Sequence, residues 1–162
     1  MRKNSRELSL MCRIQGRIFE KSLIMLDCSS PFFIKNYMNG EIAKVMDDLF
    51  FLNTTISEQR VLLDMKSLSF GKIKYTNEEM YWMGYIYRYI SYIYEIDSKR
   101  LFKLIPGSIL VKYYWPGSVD NMDKVVRDIL KDNKITFINN DYLMEKAEQN
   151  ISNKLENFIL KV

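Results

Sequence analysis

One aromatic segment, residues 79 to 95, constrains this fold more than any other part of the chain. It contains six of the eleven tyrosines and one of the two tryptophans, with a single arginine in its middle. At about 100° of rotation per residue, a helix here places four residues on one narrow stripe: Gly84, Arg88, Ser91 and Glu95. Apolar and aromatic side chains surround that stripe on nearly all other sides. We therefore predict a central, largely buried helix whose polar stripe must find partners.

Length and composition favour one helical domain. A chain of 162 residues supports one core rather than two ordinary domains. Only six glycines and three prolines indicate few tight turns and long elements. We predict an all-α fold, a single compact domain of about six to eight helices around the aromatic helix. Two β-prone stretches, 49–56 and 134–138, are candidates for one or two additional short strands.

Cap residues mark most of the predicted helix boundaries. Four predicted helices have defined bounds: 5–27, 31–38 with Ser30 as the N-cap, 77–95 behind a capping box of Thr76 and Glu79, and 141–161. Shorter helical segments are predicted to start at Glu41, at Ser57, after Asp97, after Pro106, and after Ser118 to Asp120. We assign residues 1–131 to a helical core domain and 132–162 to a C-terminal extension that ends in an amphipathic helix.

Arg88 has two interpretations. In the structural one, its guanidinium bridges Glu95 or a helix-end carbonyl while its stem packs on tyrosines, because a buried charge demands such pairing. In the functional one, it is exposed, framed by Tyr81, Tyr85 and Tyr92, and binds an acidic group of a partner protein. Tyrosine and arginine are typical of binding hot spots.

A second candidate surface is the amphipathic helix of the extension. Ile151, Leu155 and Phe158 recur at helical spacing, which indicates a face that packs along a groove or another helix. That face either docks on its own domain or is offered to a partner.

Basic charge is concentrated near the N-terminus. Residues 1 to 21 hold six basic and two acidic side chains, an excess equal to the net charge of +4 of the whole chain. On the first predicted helix the basic side chains gather on one face: Arg6, Arg13, Arg17 and Lys21. Such a face is either an ordinary solvated surface or a docking site for an acidic partner or a nucleic-acid backbone.

The residue inventory disfavours catalysis. The chain has no histidine, which excludes serine-histidine and cysteine-histidine mechanisms and removes the commonest zinc ligand. No glycine-rich phosphate-binding motif is present. We expect no enzyme, no cofactor and no metal. Cys12 and Cys28 have no metal-like spacing, and neither a signal peptide nor an apolar span is visible, so we expect a reducing cytoplasm.

The chain resembles a group of small bacterial proteins encoded beside an ADP-ribosyltransferase-like toxin protein and a short helical companion. The similarity rests on residues 31–39, 75–89, 98–105 and 118–120, spans roughly residues 10 to 130, and is most specific between Glu78 and Tyr89. The group's members usually end near the helix that finishes here around residue 131. Where the group has a His-Thr-Leu-Asp-like turn, this chain has residues 117–120.

The resemblance implies a role in a toxin-antitoxin or phage-defence operon. It implies a cytoplasmic, non-enzymatic protein that neutralises a cognate toxin by direct binding, and the missing histidine favours binding over catalysis. Two alternatives stay open. One is a nucleic-acid-associated regulator that uses the basic N-terminal face; the other, less favoured, is that the chain is itself the toxin.

Overall fold

The computed structural model describes residues 5–48, 57–65 and 71–137, and this part of the chain is all-helical. Its eight α-helices are α1 (Ser5–Met25), α2 (Ser30–Met38), α3 (Glu41–Asp47), α4 (Glu58–Asp64), α5 (Asn77–Tyr94), α6 (Ser98–Leu104), α7 (Gly107–Leu110) and α8 (Met122–Asp132). Two short 3₁₀ helices, Val111–Tyr113 and Ser118–Asn121, connect α7 to α8. The predicted all-α domain with a central aromatic helix is confirmed.

Helices α1 and α5 form the central pair of the fold. They approach so closely that a Cβ atom on Gly84 would lie 2.6 Å from the carbonyl oxygen of Gln15 and 2.9 Å from Cα of Gly16. A Cβ on Gly16 would in turn lie 2.9 Å from the carbonyl oxygen of Tyr81. Two glycines, one on each helix, therefore permit this contact.

The aromatic helix begins where its cap residues predict. The Thr76 hydroxyl accepts a hydrogen bond from the Glu79 amide, and the Glu79 carboxylate accepts one from the Thr76 amide. This reciprocal capping box satisfies two amides that no helical carbonyl can reach. The helix ends at Tyr94, and its C-cap Glu95 adopts a left-handed conformation with φ of 52°.

An aromatic cluster packs α2 against the central pair. The ring of Phe19 meets Phe33 and Tyr37 edge to face, with centroids 5.2 and 5.0 Å away. All three side chains are buried. Burying one large apolar side chain stabilises a fold by about 1.5 to 3 kcal/mol, so this cluster fixes the position of α2 on α1.

Two details of the predicted boundaries are wrong. The N-cap of α2 is Ser29 rather than Ser30, and its hydroxyl accepts a hydrogen bond from the Phe32 amide. Ser30 instead accepts one from the Tyr75 amide, which ties α2 to the chain entering α5. The strand considered for 134–138 does not form in residues 134–137, where the chain follows α8 through a turn; 49–56 lie outside the described residues.

The start of the C-terminal extension packs on the core domain. The Ile135 amide donates to the Leu130 carbonyl at 2.8 Å, and the ring of Phe137 lies 4.9 Å from that of Tyr94. The predicted terminal helix, with Ile151, Leu155 and Phe158, lies outside the described residues. Among the helices that are described, none is long and apolar enough to cross a membrane.

Candidate functional site

Arg88 is buried at the centre of the helical domain, with only 1% of its surface exposed. Its Nε and Nη2 atoms donate to Oε1 of Gln15 at 3.0 and 2.9 Å, which links α5 to α1. Nη1 donates to the Met46 carbonyl at 3.0 Å, and Nη2 donates to the Ser98 hydroxyl at 3.0 Å. The expectation of an exposed recognition arginine is therefore wrong, because atoms of this chain surround the guanidinium.

The carboxylate partner of Arg88 is Asp47, at the end of α3. Nη1 of Arg88 lies 2.8 Å from Oδ1 of Asp47. Asp47 also accepts hydrogen bonds from the Ser98 amide and hydroxyl, at 2.8 and 2.6 Å. The structural interpretation of Arg88 is correct in kind, but Glu95 is not the partner. Glu95 lies beyond the last turn of α5, and its left-handed backbone takes it off the predicted stripe.

The tyrosines predicted to frame Arg88 form a separate, half-buried surface on α5. Tyr81 and Tyr85 are neighbours, with ring centroids 6.3 Å apart. Burial is the main cause that raises the pKa values of Tyr85 and Tyr92 above 10.0. Since Arg88 points into the core, these rings do not enclose its guanidinium, and only Tyr81 belongs to the cleft described below.

The basic face of α1 is partly neutralised by α4. Nε of Arg17 and Nζ of Lys21 each lie 2.5 Å from a different carboxylate oxygen of Glu58. Arg13 is exposed, and its Nε donates to the Ser9 carbonyl one turn earlier. Arg6 is exposed as well. Arg17 and Lys21, both predicted as nucleic-acid-binding side chains, thus share one internal carboxylate partner.

A cleft that the sequence did not predict opens beside the start of α5, with a volume of about 280 Å³. Three segments far apart in the chain form it: one turn of α1, the first turns of α5, and the loop with the 3₁₀ turn that leads to α8. Its lining residues are Glu20, Glu78, Tyr81, Trp82, Tyr114, Gly117, Ser118 and Val119.

Two of the residues that line this cleft each carry a buried polar atom without a hydrogen-bond partner. The atoms are Nε1 of Trp82 and Oγ of Ser118, and both residues are fully buried. Each such atom costs about 1 to 3 kcal/mol when it is left unpaired. No other buried side-chain nitrogen or oxygen is unpaired in the part of the chain that the structure describes. Their presence in the same cleft indicates a site where an incoming polar group is favoured.

The walls of the cleft are aromatic and acidic. The indole of Trp82 and the ring of Tyr114 meet at 63° with centroids 5.7 Å apart. Glu20 is half-buried and Glu78 is exposed, and neither carboxylate has a hydrogen bond or ion pair with the described residues. The cleft therefore combines negative charge, aromatic surface and unpaired polar groups.

The loop at one edge of the cleft is held in a fixed shape. Gly117 has φ of +87°, a conformation that L-residues rarely adopt. The backbone amide of the next residue, Ser118, donates a hydrogen bond to the Trp115 carbonyl at 3.0 Å. The ring of Trp115 lies over Gly117, with Cζ3 3.2 Å from the position of a Cβ atom there. Trp115 and Val119 are each 44% exposed, so apolar surface borders the opening.

No cluster of metal-binding side chains occurs between residues 5 and 137, within the ranges described above. No protein-family model matches the chain, and no curated protein or solved structure is detectably similar to it.

Proposed function

We propose that the protein is a non-enzymatic, cytoplasmic protein-binding component of a toxin-antitoxin or defence operon, which neutralises a cognate toxin by direct binding. The observation that carries the binding role is the cleft beside α5 with its apolar border at Trp115 and Val119. An exposed tryptophan beside a concave, partly polar site has the composition of a binding hot spot.

The toxin as partner comes from the resemblance. The run from Glu78 to Tyr89, which carries it most specifically, contributes Glu78, Tyr81 and Trp82 to the cleft. The turn at 117–120, where this chain differs from the group, contributes Gly117, Ser118 and Val119. The cleft is thus built from the segment that the group shares and from the segment in which this chain departs from it. This arrangement supports a shared mode of binding with a specificity particular to this chain.

Co-expression with the toxin encoded beside it tests the proposal. We expect the two proteins to co-purify and growth arrest by the toxin to be relieved. Trp115→Ser should weaken association at least tenfold, while Leu104→Ser should leave it unchanged. Leu104 is 39% exposed, close to the exposure of Trp115, but lies on α6 rather than in the loop that contributes Tyr114 and Gly117 to the cleft. Absence of a complex, together with no rescue of growth, would contradict the proposal.

The same experiment addresses the opposite assignment. If the chain were itself the toxin, its expression alone would arrest growth, and the neighbouring gene would relieve that arrest. We expect normal growth when this chain is expressed alone.

A further inference from the structure

We infer that the cleft between α1, α5 and the 117–119 turn receives an arginine side chain of the partner protein. The inference rests on the proposed function for the existence of a protein partner, but its chemistry follows from the cleft alone. It commits to a guanidinium group, flanked by Glu20 and Glu78 and packed against the aromatic wall.

Charge is the first argument for a cation. Glu20 and Glu78 both line the cleft, and among the described residues no lysine or arginine does. Neither carboxylate has a hydrogen bond or ion pair with a described residue. By contrast Glu58, on the neighbouring helix α4, is paired with both Arg17 and Lys21. Two unpaired carboxylates at one opening attract a positive group and repel a negative one.

The aromatic wall favours a planar cation. Tyr81 and Tyr114 supply partly exposed rings of the cleft, and the fully buried Trp82 packs against Tyr114. A guanidinium group stacks on aromatic faces and is more weakly hydrated than an ammonium group, so it enters such a site at a lower cost of dehydration. Its five N–H donors also allow it to reach two carboxylates and a hydroxyl at once.

The unpaired polar atoms specify the rest of the occupant. Oγ of Ser118 can accept a hydrogen bond from the guanidinium group. The indole N–H of Trp82 only donates, so it needs an acceptor that a guanidinium group lacks. A peptide carbonyl beside the arginine side chain supplies one. An arginine within a polypeptide therefore offers a partner to both atoms, whereas a free inorganic cation offers no acceptor to the indole N–H.

The volume of the cleft agrees with a side chain rather than a larger ligand. At about 280 Å³ it lies just below the range of roughly 300 to 1,000 Å³ that is usual for pockets of drug-sized molecules. One long side chain with its adjoining backbone fits such a space.

The test uses N-acetylarginine N-methylamide as the probe, titrated into the full ¹⁵N-labelled chain. The chain has two tryptophans, so the indole N–H signal of Trp82 can be assigned with a Trp115→Phe variant. We expect a saturable shift of that signal with a dissociation constant on the order of 1 mM. The citrulline analogue has the same shape without the charge, and we expect it to bind at least fivefold more weakly.

Matched variants separate the site from general electrostatics. The double variant Glu20→Gln, Glu78→Gln should bind the arginine probe at least fivefold more weakly than wild type. The control double variant Glu7→Gln, Asp128→Asn changes the net charge equally at exposed positions outside the cleft, and should bind as wild type does. Equal binding of both probes, equal behaviour of both double variants, or no shift at roughly 20 mM probe, about twentyfold above the expected dissociation constant, overturns the inference.

Binding to the toxin distinguishes a failure of the arginine site from a failure of the proposed function. The cleft double variant should weaken association with the toxin at least tenfold relative to the control double variant. If the probe binds but the wild-type protein does not associate with the toxin, the proposed function fails and the arginine site stands. If the toxin associates but the probe does not bind, the inference fails, and the complex forms through another surface.

Discussion

The Arg88 guanidinium and the Asp47 carboxylate form an ion pair of 2.8 Å between α5 and α3, with 1% and 15% of the two side chains exposed. Gln15 on α1 and Ser98 on α6 complete the hydrogen bonds of the arginine, so four helices meet at one charged group. A buried charge keeps its partners because losing one of them leaves the other unpaired in a low-dielectric interior.

Replacing Arg88 should therefore cost stability rather than specific binding. Arg88→Ala removes the cation that pairs with Asp47 and two N–H donors to Gln15, and we expect the free energy of unfolding to fall by about 3 to 5 kcal/mol. Denaturant unfolding followed by circular dichroism measures the change. Arg13→Ala, at an exposed arginine on α1, should change stability by less than about 0.5 kcal/mol. Equal stability of the two variants would contradict the structural role.

Gly84→Ala should reverse the usual effect of this substitution in a helix. Alanine normally stabilises a helix interior by about 1 kcal/mol relative to glycine. At Gly84 the new methyl group would lie 2.6 Å from the Gln15 carbonyl oxygen, so α1 and α5 must move apart. We expect a net loss of about 1 to 3 kcal/mol, measured by denaturant unfolding. A stabilised variant would show that the helices are not in close contact here.

The bridge between α1 and α4 predicts an acid-dependent contribution to stability. Burial raises the pKa of Glu58, but hydrogen bonds from Lys21 and Arg17 and their positive charges outweigh it, so the net pKa lies below 4.5. A carboxyl group whose pKa is lower in the folded state stabilises the fold fully at pH values above its unfolded-state pKa. This contribution is lost as the pH falls through the lower folded-state pKa.

Glu58→Gln tests that contribution. Because Arg17 and Lys21 are 43% and 39% exposed, solvent screens the bridge, and we expect the variant to lose about 1 kcal/mol or less at pH 7. The difference from wild type should narrow as the pH falls below 4.5. Glu41→Gln is the control, since its ion pair with Lys44 is 3.9 Å long and largely exposed. A difference that grows toward acid pH would contradict the predicted sign.

The two cysteines should differ in reactivity. The Cys12 side chain is fully buried on α1. Burial raises the pKa of its thiol from 9.0 to about 12, although the positive charge of Arg88 acts to lower that pKa. Cys28 lies in the connection between α1 and α2, with a pKa raised mainly by burial. With a disulfide reagent at pH 8, we expect Cys28 to react through local opening and Cys12 only at the rate of global unfolding.

The single variants Cys12→Ala and Cys28→Ala assign the two phases of this reaction. Fast labelling of Cys12 in the native protein would show that α1 opens independently of α5.

The nucleic-acid alternative gives a separate prediction. Because Glu58 neutralises part of the basic face, we expect affinity for operator DNA to be no tighter than nonspecific binding, with a dissociation constant of about 10⁻⁴ M or weaker at physiological salt. Fluorescence anisotropy over a salt series measures it. Tight binding that falls steeply with salt and is weakened by Arg13→Glu would restore the regulator hypothesis. Arg17→Glu is less informative, since it also places a second carboxylate beside Glu58.

Local sequence signals predicted the helices, whereas pairings between distant residues could not be predicted. The capping box at Thr76 and the caps at Ser57 and Asp97 appear as expected, because each involves only one turn of chain. The partners of Arg88 lie 41 and 73 residues away, at Asp47 and Gln15, and nothing in their local sequence marks them. Helical periodicity alone makes Glu95 or a helix-end carbonyl a candidate partner of Arg88, but the backbone leaves the helix at Glu95.

The cleft was missed for the same reason. Glu20 and Glu78 look like ordinary exposed helix residues, and Trp82 looks like core. Only the fold places them beside Ser118, and only the packed structure shows that the Trp82 N–H has no acceptor.

The pairing of α1 with α5 has a consequence for synthesis on the ribosome. α1 is complete at residue 25, but its main partner extends from residue 77 to 94. At about 5 to 20 residues per second, α1 waits on the order of several seconds before α5 emerges. During that interval Phe19 can pack only against Phe33 and Tyr37 of α2, and the surface that α5 covers in the folded protein stays exposed. The first helix therefore reaches its full native packing only after translation has passed the end of the aromatic helix.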